Sequence, residues 1–114
     1  MSVIKITEAF NQLKKTPIGN SKYFTWHEAL WLPQMNAYAM PTVEQMVNIL
    51  KQCEHMDRVR EFFNTPVIVT SWLRPDFYNK AIGGAPFSHH KTGAATDFKV
   101  MGLDSDYVRE VLRK

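Results

Sequence analysis

Two potential metal donors, His90 and Asp97, stand seven residues apart with Gly93, Ala94 and Ala95 between them. Imidazole nitrogen and carboxylate oxygen both bind zinc, and a catalytic zinc takes three protein donors and leaves a position for water. Helical neighbours sit three or four residues apart, so this spacing predicts a loop ligand followed by a strand ligand. Gly93 permits the tight turn, and the alanines permit close backbone packing beside it. In an extended segment adjacent side chains project to opposite sides, so a metal-facing His90 implies that His89 faces away. Arg74, just before Pro75, is the third candidate. Its planar guanidinium suits a carboxylate, or the oxyanion that develops when water attacks an amide. Taken alone, a surface salt bridge is the better reading of it.

The elements that must position these groups are legible around them. Thr42 and Gln45 form a capping-box pattern, and Met46, Ile49, Leu50, Cys53, Met56, Val59 and Phe63 follow on one helical face. Glu44, Lys51, Glu54, Asp57, Arg58, Arg60 and His55 make the solvated side. Asn64-Thr65-Pro66 ends that helix, and the β-branched run at 67–72 predicts a buried strand delivering Arg74 to its end. A short helix or turn at 76–80 leads to the Gly83-Gly84 loop. Residues 94–100 read as a second strand, with Phe98 and Val100 on the core face and Asp97 on the other. Asp104 or Ser105 caps a last helix whose apolar side is Tyr107, Val108, Val111 and Leu112. Upstream, Ile6, Phe10 and Leu13 suggest a short helix or arm within residues 1–20. Thr25 and Glu28 open a second short helix through Trp31, which Pro33 stops. His27 there reads as a packing group rather than a ligand, and Trp26 and Trp31 as core or cleft wall.

At 114 residues the chain can build one modest core and no second domain. A net charge of +3 is mildly basic, but the lysines and arginines are scattered rather than striped, which argues against nucleic acid. One cysteine, Cys53, excludes an internal disulfide and sits where a buried structural thiol belongs. Lys5 and Glu8 interrupt the apolar core that a signal peptide requires, and no stretch is apolar enough for a membrane span.

Three segments stand out together: Ser71-Trp72-Leu73-Arg74-Pro75, the run from Tyr78 to Pro86, and Ser88-x-His90-x-x-Gly93-x-Ala95-x-Asp97. As a set they closely resemble the zinc D-alanyl-D-alanine carboxypeptidases. These enzymes are peptidoglycan peptidases that share their fold with hedgehog signalling domains. The resemblance extends upstream through Phe24-Thr25, the helix at 42–63 and the strand from Val67. It implies an α+β domain over residues 21–114, with helices packed against a small, mostly antiparallel sheet and residues 1–20 as an arm. It makes His90 and Asp97 zinc ligands, Arg74 the stabiliser of the substrate carbonyl and oxyanion, and Ser88 a substrate-positioning hydroxyl. The implied partner is a bacterial peptidoglycan stem peptide, not nucleic acid and not a membrane. The implied reaction is its hydrolysis, by carboxypeptidase or related endopeptidase action, through a water that the metal acidifies and a base that takes its proton.

The pattern departs from that family downstream, where a Glu or Asp base and a third ligand, a His near a Trp, are expected. Residues 98–114 contain neither His nor Trp, and Glu110 lies on a helix face that the motif does not match. Two explanations stand: a chain cut before the last strands, or a degenerate, non-catalytic wall-binding or structural relative. The final helix ends at Arg113-Lys114 without a glycine cap, which favours the first. On either, the chain as given is expected to be inactive. The missing signal peptide favours synthesis in the cytoplasm, with release to the wall by phage lysis or carriage on a phage particle.

Overall fold

The computed structural model describes residues 8 and 11–113. The chain runs α1 (Trp26–Leu30), β1 (Trp31–Leu32), β2 (Ala37–Tyr38), α2 (Val43–Phe63), β3 (Val67–Ser71), α3 (Asp76–Ala81), a 3-10 turn (His89–Thr92), β4 (Asp97–Val100) and α4 (Ser105–Arg113). The class is α+β, with two two-stranded antiparallel sheets among the described residues, β1-β2 and β3-β4. Residues 11–15 are also helical, and Leu13 packs against the core. Ile6 and Phe10, the other apolar positions expected there, lie outside the described residues.

Reciprocal capping starts α2. Thr42 Oγ1 accepts from the Gln45 N–H at 3.1 Å, and Gln45 Oε1 accepts from the Thr42 N–H at 2.8 Å. Asn64, at φ 51°, ends the helix in the left-handed conformation. Ile49, Cys53, Met56 and Val59 are buried, and the core they enter includes Ile18, Phe24, Leu32, Trp72 and Leu73. Leu50 departs from the expected stripe: it is 40% exposed at the edge of the buried face.

β3 is not the fully buried strand that its composition suggested. Its residues alternate between half-buried and exposed, because a two-stranded sheet leaves one face to solvent. The register pairs Val67 with Val100, Ile68 with Lys99 and Val69 with Phe98, then shifts so that Ser71 faces Asp97. One extra residue on β3 at that bulge re-aims the strand end toward the head of β4. β4 begins at Asp97, not Ala94. Ala94 is instead held to the preceding turn by its N–H donating to the His89 carbonyl at 3.1 Å.

Three further expectations are corrected. His89 and His90 lie in the 3-10 turn rather than an extended segment. Trp31 leaves α1 to pair with Tyr38 across a hairpin, whose turn includes Asn36 at φ 49°. On α4, Val108 is buried and Val111 half-buried, while Tyr107 and Leu112 remain exposed. Asp104 caps that helix, its Oδ1 accepting from the Asp106 and Tyr107 N–H groups.

Candidate metal centre

The segment leaving β3 is the frame on which the candidate residues meet. The Leu73 N–H donates to Ala29 O at 3.1 Å, and the Arg74 N–H donates to His90 O at 2.8 Å. The Trp72 indole N–H donates to Gly93 O at 3.0 Å. Residues 71–74 are thereby fastened both to α1 and to the turn that carries His90. Ser88 caps this turn, its Oγ accepting from the His90 N–H at 3.1 Å.

Gly93, at φ 83°, ends the turn against α2. A Cβ at this position would sit 2.8 Å from Ile49 Cγ1 and 3.1 Å from Gln45 O, so both the conformation and the contact call for glycine. Side chains of α2 secure the same turn: Gln45 Nε2 donates to Lys91 O and Asn48 Nδ2 to Thr92 O, each at 3.1 Å.

His90 Nδ1 lies 2.8 Å from Trp72 O. A carbonyl only accepts, so Nδ1 carries the proton and Nε2 is turned toward Asp97. The Nε2 to Asp97 Oδ1 separation is 3.3 Å. Two zinc bonds of about 2.0–2.1 Å at a tetrahedral angle span about 3.3–3.4 Å, so these atoms are spaced as two adjacent donors of one cation. Asp97 Oδ2 is already engaged, accepting from Arg74 Nη2 at 2.6 Å. Arg74 Nε in turn donates to Ser71 Oγ at 2.9 Å. The His90 and Arg74 side chains are 10% and 16% exposed and that of Asp97 52%, which puts the carboxylate at the mouth of the site.

The donor set therefore fits a divalent cation as two ligands. Among the described residues no group of three or more His, Cys, Asp or Glu could hold a metal. Glu110 is exposed on α4, 3.9 Å from Arg113. A cleft of about 530 Å³ runs from Asp97 between β4 and α4, with Thr96, Lys99, Arg109 and Arg113 among its lining.

A family model described as Peptidase M15 matches residues 22–114. The chain belongs to the M15 peptidase family. M15 peptidases are metal-dependent, generally through zinc, and the match spans Arg74, Ser88, His90 and Asp97. No curated protein and no solved structure gives a significant match.

In this M15 chain His89 shares the turn of His90, on its exposed side, and the other two histidines lie elsewhere. His27 Nδ1 is 2.6 Å from the Tyr38 hydroxyl, and its ring stacks on Trp31. Burial, helped by the charge of Lys14, pushes the His27 pKa down. His55 is exposed on α2. Sequence reasoning gave Ser71 no role, although it opens the first of the three segments that carry the resemblance, three residues before Arg74. Among the described residues no helix is long and apolar enough to cross a membrane.

Proposed function

We propose that the domain, taken as residues 21–114 with 1–20 as an arm, is a zinc peptidase of bacterial peptidoglycan stem peptides, of D-Ala-D-Ala carboxypeptidase or related endopeptidase type. The observation that supports it most is the 3.3 Å approach of His90 Nε2 to Asp97 Oδ1 beside Arg74, within a chain of this family. His90 and Asp97 would hold the ion. When bound, it supplies Lewis acidity toward water and the scissile carbonyl.

Arg74 holds Asp97 and leaves the other face of its guanidinium for a carbonyl oxygen that gains charge as the peptide is attacked. The Ser88 hydroxyl proton is free to orient the substrate while its oxygen caps the turn. The cleft beside Asp97 gives the peptide room, and Lys99, Arg109 and Arg113 match the free carboxylates of a stem peptide. This polymer, rather than nucleic acid or a membrane, is the partner. A role in phage lysis or on a phage particle would bring the protein to it.

A second reading, non-catalytic wall binding, is favoured by the absence of a third donor among the described residues. Lacking that donor and a positioned base, the latter worth roughly a hundredfold or more, the chain as given should turn over stem peptide negligibly. Zinc titration of the parent, His90→Ala and Asp97→Ala, with mass spectrometry of a D-Ala-D-Ala-terminated stem peptide, tests both readings. Zinc-dependent release of D-Ala supports a carboxypeptidase, and internal cleavage an endopeptidase. Peptidoglycan binding that is indifferent to zinc and to both substitutions, without turnover, supports the second reading. Zinc affinity unchanged by either substitution overturns the metal site.

A further inference from the structure

We infer that Ser71 is a positioning residue for the metal centre, acting through Arg74 on Asp97; the inference rests on the metal reading above. The Ser71 hydroxyl oxygen accepts from Arg74 Nε at 2.9 Å, and the same guanidinium donates through Nη2 to Asp97 Oδ2 at 2.6 Å. Backbone geometry fixes both ends of this relay, since the bulge between Val69 and Ser71 brings Ser71 opposite Asp97.

A carboxylate with both oxygens free can swing or chelate through two atoms. With Oδ2 engaged by Arg74, Asp97 offers Oδ1 alone, 3.3 Å from His90 Nε2. Arg74 can hold that oxygen in one place only if its own side chain is fixed. Pro75, the next residue, constrains the backbone on one side, and the Arg74 N–H is bonded to His90 O. The Ser71 hydroxyl is the side-chain contact that sets the guanidinium plane. Groups that orient metal ligands from behind typically change affinity by about 10- to 100-fold when removed.

Ser71→Ala deletes the acceptor, and Ser71→Thr keeps it on a side chain well suited to a strand. Two readouts on the 114-residue chain separate the possibilities. The first needs no metal: the Arg74 Nε–H resonance, observed with ¹⁵N-labelled protein, should shift and exchange faster in Ser71→Ala and return toward the parent in Ser71→Thr. The second is zinc affinity by calorimetry, expected to fall about tenfold in Ser71→Ala and to recover in Ser71→Thr, with unchanged thermal midpoints. A Ser71→Ala protein with the parent's Arg74 signal overturns the relay, and so does equal zinc weakening by alanine and threonine. Parental zinc affinity in Ser71→Ala, while His90→Ala and Asp97→Ala lose binding, also overturns it. If zinc affinity is indifferent to His90→Ala and Asp97→Ala, the metal reading fails, and the Arg74 resonance alone then decides whether Ser71 holds the guanidinium.

Discussion

The indole N–H of Trp72 donates to the carbonyl of Gly93 at 3.0 Å, across 21 residues of sequence and within the core. Trp72 is 1% exposed and its carbonyl also receives His90 Nδ1–H, so one residue fixes the end of the His90 turn and the orientation of its ring. Trp72→Phe keeps an aromatic ring and deletes the donor. Leaving the Gly93 carbonyl unpaired should cost about 1–3 kcal/mol, with a further loss from the smaller ring. Urea unfolding measures that cost. A midpoint equal to the parent's would mean that this bond does not hold the turn.

Gly93→Ala combines two penalties that can be separated. The left-handed conformation costs an alanine about 1–2 kcal/mol, and the new methyl would press on Ile49 Cγ1 and Gln45 O. Ile49→Val, which trims the neighbouring side chain, should return part of the packing loss in the double variant and none of the conformational part. A four-way unfolding cycle should therefore show coupling of about 0.5 kcal/mol or more. Strict additivity would place the whole cost in the backbone.

Capping and helical periodicity were legible because they are local: the Thr42 and Gln45 side chains reach each other over one helical turn. The paired hairpin at Trp31 and Tyr38 was not, since two residues per strand carry no alternation to read. The bulge hid the most. Nothing in Val69-Thr70-Ser71 announces that the register shifts there, so the pairing of Ser71 with Asp97 had no sequence signature. His90, Asp97 and Arg74 were singled out by residue type and spacing, whereas their mutual distances depend on contacts from α2 and the β3 tail.

Cys53 should be chemically silent. It is 2% exposed, and burial pushes its thiol pKa up to about 11, with the negative charges of Asp57, Glu28 and Glu54 acting in the same direction. A rise of two units from 9.0 leaves about a hundredfold less thiolate at pH 8. The native chain should thus react with a disulfide reagent at least that much more slowly than the urea-unfolded chain. The linked effect on stability has a definite sign: between pH 9 and 11 the unfolded thiol loses its proton while the folded one keeps it, so stability falls as pH rises through that window. Cys53→Ser should remove this part of the alkaline slope.

Asn79 braces the Gly-rich loop that leads to Ser88 and His90. It is 3% exposed; its Nδ2 donates to Ala85 O at 2.9 Å, and its carbonyl accepts from the Gly84 N–H at 2.8 Å. Its Oδ1 has no hydrogen-bond partner and is pressed where a Cβ on Gly84 would collide with it. Asn79→Ala removes one of the two donors to the Ala85 carbonyl, which keeps the Ser88 N–H at 3.1 Å, so the lost hydrogen bond should cost about 0.5–1.5 kcal/mol. Asn79→Asp should be worse near neutral pH, because it turns a buried carboxylate oxygen toward that carbonyl. When protonated, however, the new carboxyl can donate to Ala85 O. Its folded pKa must then lie above the unfolded value of about 3.9, so its stability is greatest below that value and is lost as pH rises through the folded pKa. Thermal midpoints of the parent, Asn79→Ala and Asn79→Asp at pH 5 and pH 8 check this. The aspartate variant should narrow its gap to the parent at the lower pH, while the alanine variant keeps its own. If both gaps are insensitive to pH, the side chain at position 79 is not facing Ala85.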